Sequence, residues 1–230
     1  MNQRTKARVA GFMFLFYIVN GIAGMIATGK ARAGEDTAAK LASMAAHEPL
    51  MNLAIVLTLL TAFDALVLGV ALYAITRDYD HDVAVLALSC RIVEGVIGAI
   101  ASVAMLSQLS LALRSAGAVG ADAAAAHALA SALIKAQWGI FGATFFAVGS
   151  TLFAWLFLRA RSIPTALAWL GVAASVLLVI LLTAQLVGIA KSPVTDLMWI
   201  PMLVFEGVLG LWLLIKGVAA PAPRLAADRV

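Results

Sequence analysis

The chain has 230 residues, of which 63% are hydrophobic and only 12% charged, with a mean hydropathy of +1.02 and a formal net charge of +4. Charged residues run near 25% in soluble domains, so a soluble globular fold is excluded and an integral membrane protein is indicated. The single cysteine, Cys90, excludes an intrachain disulfide, a CxxC redox pair and a thiolate metal site.

Apolar stretches long enough to span a bilayer run over residues 9–28, 51–75, 84–107, 138–158, 166–188 and 198–217. Each reaches about the 20 residues that a helix needs to cross some 30 Å of hydrocarbon. The expectation is an all-α fold: a polytopic six-helix transmembrane bundle forming one integral membrane domain over residues 1–230. The first stretch follows Arg4, Lys6 and Arg8 and precedes Ala31-Arg32-Ala33, as in a signal peptide. Its apolar core of about 20 residues exceeds the usual 7–15, so a retained helix is expected.

Two connecting segments, residues 34–48 and 121–137, are alanine-rich, and short interfacial helices are expected there. His47, His81 and His127 all fall in connectors, so bis-histidine haem ligation within the membrane is not available and no cofactor is expected. The Arg77–Asp82 connector carries Asp78, Asp80 and Asp82, a run read as a solvated turn rather than a metal site. Residues 221–223, Pro-Ala-Pro, end the last helix.

Lysine and arginine are distributed unevenly between the two sides. Arg4, Lys6, Arg8, Arg77, Arg159, Arg161, Lys216, Arg224 and Arg229 fall on one side, and Lys30, Arg32, Lys40, Arg114, Lys135 and Lys191 on the other. The positive-inside rule then places both termini in the cytoplasm, here of a bacterial inner membrane, and accounts for the net charge without nucleic acid. Trp138, Trp155, Trp199 and Trp212 lie near span ends, as interfacial anchors do.

Against this apolar background stand Asp64, Arg91, Glu94 and Glu206, all within spans. Left charged and unpaired at mid-bilayer each would cost about 2.5–3.5 kcal/mol, and the four about 10–14 kcal/mol, rivalling the stability of a whole domain. They must pair or lose charge. In the third span Arg91, Glu94, Gly95, Gly98 and Ser102 recur at helical spacing, forming a polar, small-residue face suited to close packing. The sixth span repeats this with Glu206, Gly207 and Gly210, the second carries Thr61 and Asp64, and the first has a milder stripe of Tyr17, Asn20, Gly21 and Gly24.

Similar depth predicts one compact cluster, a substrate or proton site of Arg91, Glu94, Glu206 and Asp64. Arg91 can bridge two carboxylates through its planar fork. With three acids to one arginine, the surplus acid is expected to hold a proton rather than a charge, which makes the site proton-responsive. The competing reading is a closed ion-paired lock that fixes helix packing.

Glu94-Gly95-Val96-Ile97-Gly98 and Glu206-Gly207-Val208-Leu209-Gly210 are nearly the same five residues. In two three-helix halves these segments would run oppositely, as in an inverted repeat whose site lies at the midplane. Chance similarity is a rival, because glycine, valine and leucine are abundant here.

Short motifs in fixed order resemble a known family. They are Arg8-Val9-Ala10-Gly11, Leu72-Tyr73, Arg91-Ile92-Val93-Glu94-Gly95, Ile163-Pro164, Phe205-Glu206-Gly207, Leu211-Trp212-Leu213 and Lys216-Gly217. The chain resembles the bacterial six-span membrane proteins grouped as domain of unknown function 4386. The resemblance implies fold and topology, but no activity.

Three function classes follow. The first is a small proton-linked transporter or permease-like protein; the second, a structural or accessory membrane subunit; the third, a membrane-embedded enzyme acting on a lipid-like substrate. The enzyme is least favoured, because no HExxH, Ser/His pair or paired-aspartate motif is present. The expected partners are the lipid bilayer and either a second copy or another membrane protein.

Overall fold

Backbone groups in hydrocarbon must be satisfied within their own segment, so the apolar stretches fold as helices. The structure, a computed structural model, describes residues 2–115, 120–190 and 194–218. Its helices are α1 (Gln3–Ala31), α2 (Thr37–Ala46), α3 (Glu48–Thr76), α4 (His81–Ser115), α5 (Ala121–Lys135), α6 (Trp138–Ala160), α7 (Thr165–Leu186), α8 (Val194–Leu197) and α9 (Ile200–Ile215). Six stretches among the described residues are long and apolar enough to cross a membrane. The chain is therefore an all-helical, six-span membrane bundle. Large apolar side chains such as Phe12, Met25, Phe63, Val103, Trp169 and Ile180 lie exposed on the helix surfaces, as lipid-facing residues must.

The boundaries differ from the hydropathy windows in two instructive places. The third window closes at residue 107, yet α4 continues to Ser115 and, with 35 residues, is about 52 Å long. Nothing in the sequence breaks the helix there, and Leu109 and Ala112 are buried in a core of their own. The sixth window opens at residue 198 as one helix, whereas a turn at Met198 and Trp199 separates α8 from α9. Pro201 is the cause: lacking an N–H, it sits in the first turn of α9 rather than in a helix interior. The residues 221–223 motif, Lys191, Arg224 and Arg229 lie outside the described residues.

Packing separates two compact units, one of Met1–Ile18, Asp64–Glu94 and Ala143–Val230, the other of Val19–Phe63 and Gly95–Gly142. In the second unit, α2 and α5 pack on one another, and Leu41, Met44 and Ala130 join Ala27, Met51, Met105 and Leu109 in a continuous apolar core. The two connecting segments are thus helical, as expected, and part of a core rather than mere links. Polar side chains here find partners: Asn20 Nδ2 donates to Thr61 Oγ1 at 2.9 Å and Arg32 Nη2 to Gln108 Oε1 at 2.6 Å. Gly98 brings α4 against α3, where an added Cβ would stand 3.1 Å from that of Ala62.

In the first unit, two basic side chains near helix ends have partners. Arg159 Nη1 donates to Asp80 Oδ2 at 3.3 Å, and Lys6 Nζ to the carbonyl of Ala74 at 3.5 Å. Asp80 also accepts from the Val83 amide at 3.2 Å at the start of α4. The acidic run is therefore a capping and pairing turn, in keeping with its reading from sequence. Deeper in the unit, α1 and α9 meet at glycines: a Cβ on Gly11 would stand 2.6 Å from the Gly210 carbonyl and 2.7 Å from the Leu214 amide. Both obstacles are backbone and cannot rotate away.

Gly11→Ala is accordingly expected to lower stability in detergent by about 1–3 kcal/mol through overpacking, read from thermal unfolding. Gly21→Ala, with open space around its Cβ position, is the matched control and should leave the transition unchanged or raise it.

Candidate functional site: a buried arginine and two glutamates

Spacing on α4 sets the core of the site. Arg91 and Glu94 are three residues apart and so share a helix face, and Arg91 Nη1 donates to Glu94 Oε2 at 2.8 Å. Arg91 is the largest fully buried side chain of the described residues, at 0% exposure. The other oxygen of Glu94 is also taken, since the Tyr17 hydroxyl on α1 donates to Oε1 at 2.7 Å. Glu94 thus has both carboxylate oxygens saturated by one cation and one phenol.

Two aromatic rings lie on one side of the guanidinium. Its Cζ lies 4.9 Å from the Phe146 centroid and 5.5 Å from that of Tyr17, within cation–π range. Tyr17 and Phe146 are stacked, with centroids 6.2 Å apart, and Trp199 continues the aromatic wall 6.1 Å beyond Phe146. Glycines make the room. A Cβ on Gly69 of α3 would stand 2.8 Å from Arg91 Cβ, and one on Gly149 of α6 would stand 3.1 Å from Cys90 Cβ and 3.6 Å from Arg91 Cδ. Phe146 and Gly149 are three residues apart, so one face of α6 supplies both the ring and the gap.

Glu206 enters from α9. It is buried at 4% exposure, in the same compact unit as Arg91 and Glu94. The α1–α9 glycine contact fixes it relative to Tyr17, because Gly210, one turn beyond Glu206, meets Phe14 and Leu15 of α1. Unlike Glu94, Glu206 keeps a buried oxygen, Oε1, with no hydrogen-bond partner, and the same holds for Nε and Nη2 of Arg91. Asp64 is likewise buried, at 3% exposure on α3 in the same unit. The described contacts of Arg91 run to Glu94, Tyr17 and Phe146.

Of the four residues singled out from sequence, the structure joins Arg91 and Glu94 as an ion pair and buries Glu206 and Asp64 in the same unit. Tyr17 was legible only as part of a polar stripe, and Phe146 not at all. Trp199, expected as an interfacial anchor, turns its ring to Phe146. Aromatic rings in spans carry no pattern that separates a cation's platform from a lipid-facing side chain, so spacing alone could not single them out.

An all-helical six-span bundle with a buried arginine–glutamate centre defines a polytopic membrane protein whose distinctive chemistry lies within its spans. The chain matches the family described as Domain of unknown function (DUF4386) over residues 9–217 and belongs to that family. No curated protein matches it, and no solved structure does.

Removing one member of a buried pair strands the other's charge, at a cost of about 3–5 kcal/mol, whereas removing both can be nearly neutral. Arg91→Leu should therefore lower the unfolding transition sharply. The double variant Arg91→Leu/Glu94→Leu should recover most of the loss, as thermal unfolding of the set in one detergent will reveal.

Proposed function

We propose that this protein is a small proton-linked, permease-like membrane protein in which Glu206 carries the exchangeable proton, and Arg91, Glu94 and Tyr17 form the fixed polar frame around it. The carrying observation is the contrast between the two glutamates. Both oxygens of Glu94 are hydrogen-bonded, by Arg91 and Tyr17, whereas Glu206 Oε1 is buried in the same unit without a partner. A group whose only role was to lock helices would be expected to be hydrogen-bonded, because an unsatisfied buried polar atom costs about 1–3 kcal/mol. A carboxyl that alternates between protonated and ionised states cannot be saturated in both. Ionisable groups inside a membrane are commonly proton or substrate groups for this reason.

The orientation proposed has both termini in the cytoplasm of a bacterial inner membrane. It is supported by the basic side chains at one end of the first unit, where Lys6 reaches Ala74 and Arg159 reaches Asp80. The accessory-subunit reading is favoured by one specific observation, the closed Arg91–Glu94–Tyr17 triangle. It accounts for that triangle and leaves Glu206 unexplained.

The test has two arms on the purified protein. In lipid nanodiscs, difference infrared spectra across a pH step should contain a carboxylic-acid carbonyl band that fades as pH rises and is absent in Glu206→Gln. In proteoliposomes loaded with a pH-sensitive dye, a solute panel should include one that accelerates proton entry, with Glu206→Gln slowing it by about tenfold or more, the scale of losing a proton-transfer group. An unchanged carbonyl spectrum in Glu206→Gln, together with no solute-dependent proton entry, would overturn the proposal.

A further inference from the structure

The partnerless atoms of Arg91 are not scattered over the guanidinium. Nη1 is committed to Glu94, and the two without partners are Nε and Nη2. These two lie on one edge of the guanidinium with parallel N–H bonds, the edge that grips both oxygens of a carboxylate. A complete bidentate fork is therefore held at 0% exposure in a rigid setting. Phe146 and Tyr17 lie together on one side of the cation, and its stem is confined by Gly69 and Gly149.

We propose that this edge of Arg91 is the binding site for a small monocarboxylate anion, and that each anion binds together with one proton on Glu206. The inference rests on the proton-carrying role proposed above for Glu206 and adds the substrate class.

Charge decides between a monoanion and a dianion. Arg91 and Glu94 cancel, so the cluster with Glu206 ionised carries one negative charge. A monoanion arriving with one proton leaves that total unchanged. A dianion such as a dicarboxylate or hydrogen phosphate would add a further negative charge in a low-dielectric setting, where like charges are costly. Other ionisable groups around Glu206 do not alter the comparison. Tyr17 on α1 is hydrogen-bonded to Glu94, Asp64 is buried on α3 of the same unit, α7 bears no charged side chain, and the only one on α6 is Arg159 at its end. The ring of Phe146 and, beyond it, that of Trp199 provide an apolar wall beside the fork, which suits an anion with an apolar or planar body.

Benzoate is a suitable probe, being a planar monocarboxylate with an apolar body. Its binding to the full-length protein in nanodiscs is measured by calorimetry in two buffers of different ionisation enthalpy, which counts protons taken up. The expected result is saturable binding, tighter in mildly acidic than in mildly alkaline buffer, with proton uptake approaching one per anion in alkaline buffer, where free Glu206 is ionised. Glu206→Gln should lose the proton uptake. Arg91→Lys keeps the charge but not the fork, and should bind at least about tenfold more weakly. Should Arg91→Lys fail to fold, the wild-type protein still decides: benzamide, which has the same shape without the charge, must not compete, and phosphate must compete far less than benzoate.

Absence of benzoate and acetate binding, binding without proton uptake at every pH including alkaline buffer, equal competition by benzamide, or unaltered affinity in folded Arg91→Lys would each overturn the inference. If the Glu206-dependent carbonyl band persists while no monocarboxylate binds, the anion assignment alone falls. If that band is missing too, the proton-carrying reading falls with it.

Discussion

The burial of one positive charge governs the first compact unit. Arginine does not shed its proton at any physiological pH, so Arg91 cannot become neutral, and the surrounding helices must accommodate it as a cation. Nearly every local feature answers to that requirement. Glu94 supplies the countercharge from the same helix, which guarantees the pair whatever the packing around it. Tyr17 and Phe146 lie within cation–π range on one side of the guanidinium, and glycines on α3 and α6 admit its stem. The α1–α9 contact at Gly11 and Gly210 then sets the depth at which Tyr17 and Glu206 reach it.

That hierarchy explains which parts of the protein were legible in its sequence. Charges in an apolar chain are rare and costly, so Arg91, Glu94 and Glu206 announced themselves, and the three-residue step from Arg91 to Glu94 foretold their pairing. The six spans were equally plain. Small residues at helical spacing indicated close packing, and Gly98 against Ala62 and Gly210 against Phe14 and Leu15 are that packing. What escaped was tertiary in origin. Tyr17 and Phe146 become a platform only when α1, α4 and α6 converge. The extension of α4 to Ser115 depends on burial of Leu109 and Ala112, which a hydropathy window cannot register. The break before α9 was available in Pro201, whose effect on a helix interior outweighs the apolarity of its neighbours.

The second unit shows how this chain treats polar groups that serve structure. Asn20 donates to Thr61 and to the carbonyl of Leu57, Arg32 reaches Gln108, and Thr58 reaches Met105 Sδ at 3.6 Å. Side chains there are tied to specific neighbours across helices, which is how polar groups fix register in an apolar bundle. The triangle of Arg91, Glu94 and Tyr17 obeys the same rule. Glu206 Oε1 and the Nε–Nη2 edge of Arg91 are buried without hydrogen-bond partners, as are Arg32 Nε, Ser43 Oγ, Trp138 Nε1 and Ser162 Oγ, but only Arg91 and Glu206 are ionisable groups of the first unit.

The echoed pentapeptides sharpen that departure. Glu94-Gly95-Val96-Ile97-Gly98 and Glu206-Gly207-Val208-Leu209-Gly210 place a glutamate four residues before a glycine that seats a neighbouring helix, Ala62 on α3 in one case and Phe14 and Leu15 on α1 in the other. The backbone task is therefore alike in both. The chemistry at the glutamate is not: one carboxylate is closed on both oxygens and the other retains a buried oxygen without a partner. Close packing needs only the glycine, so it gives no reason for a carboxyl at position 206. A second acid beside an arginine already neutralised by Glu94 adds electrostatic cost to the fold. What the two glutamates share is therefore the backbone packing beside them, and what separates them is the hydrogen bonding of their carboxylates.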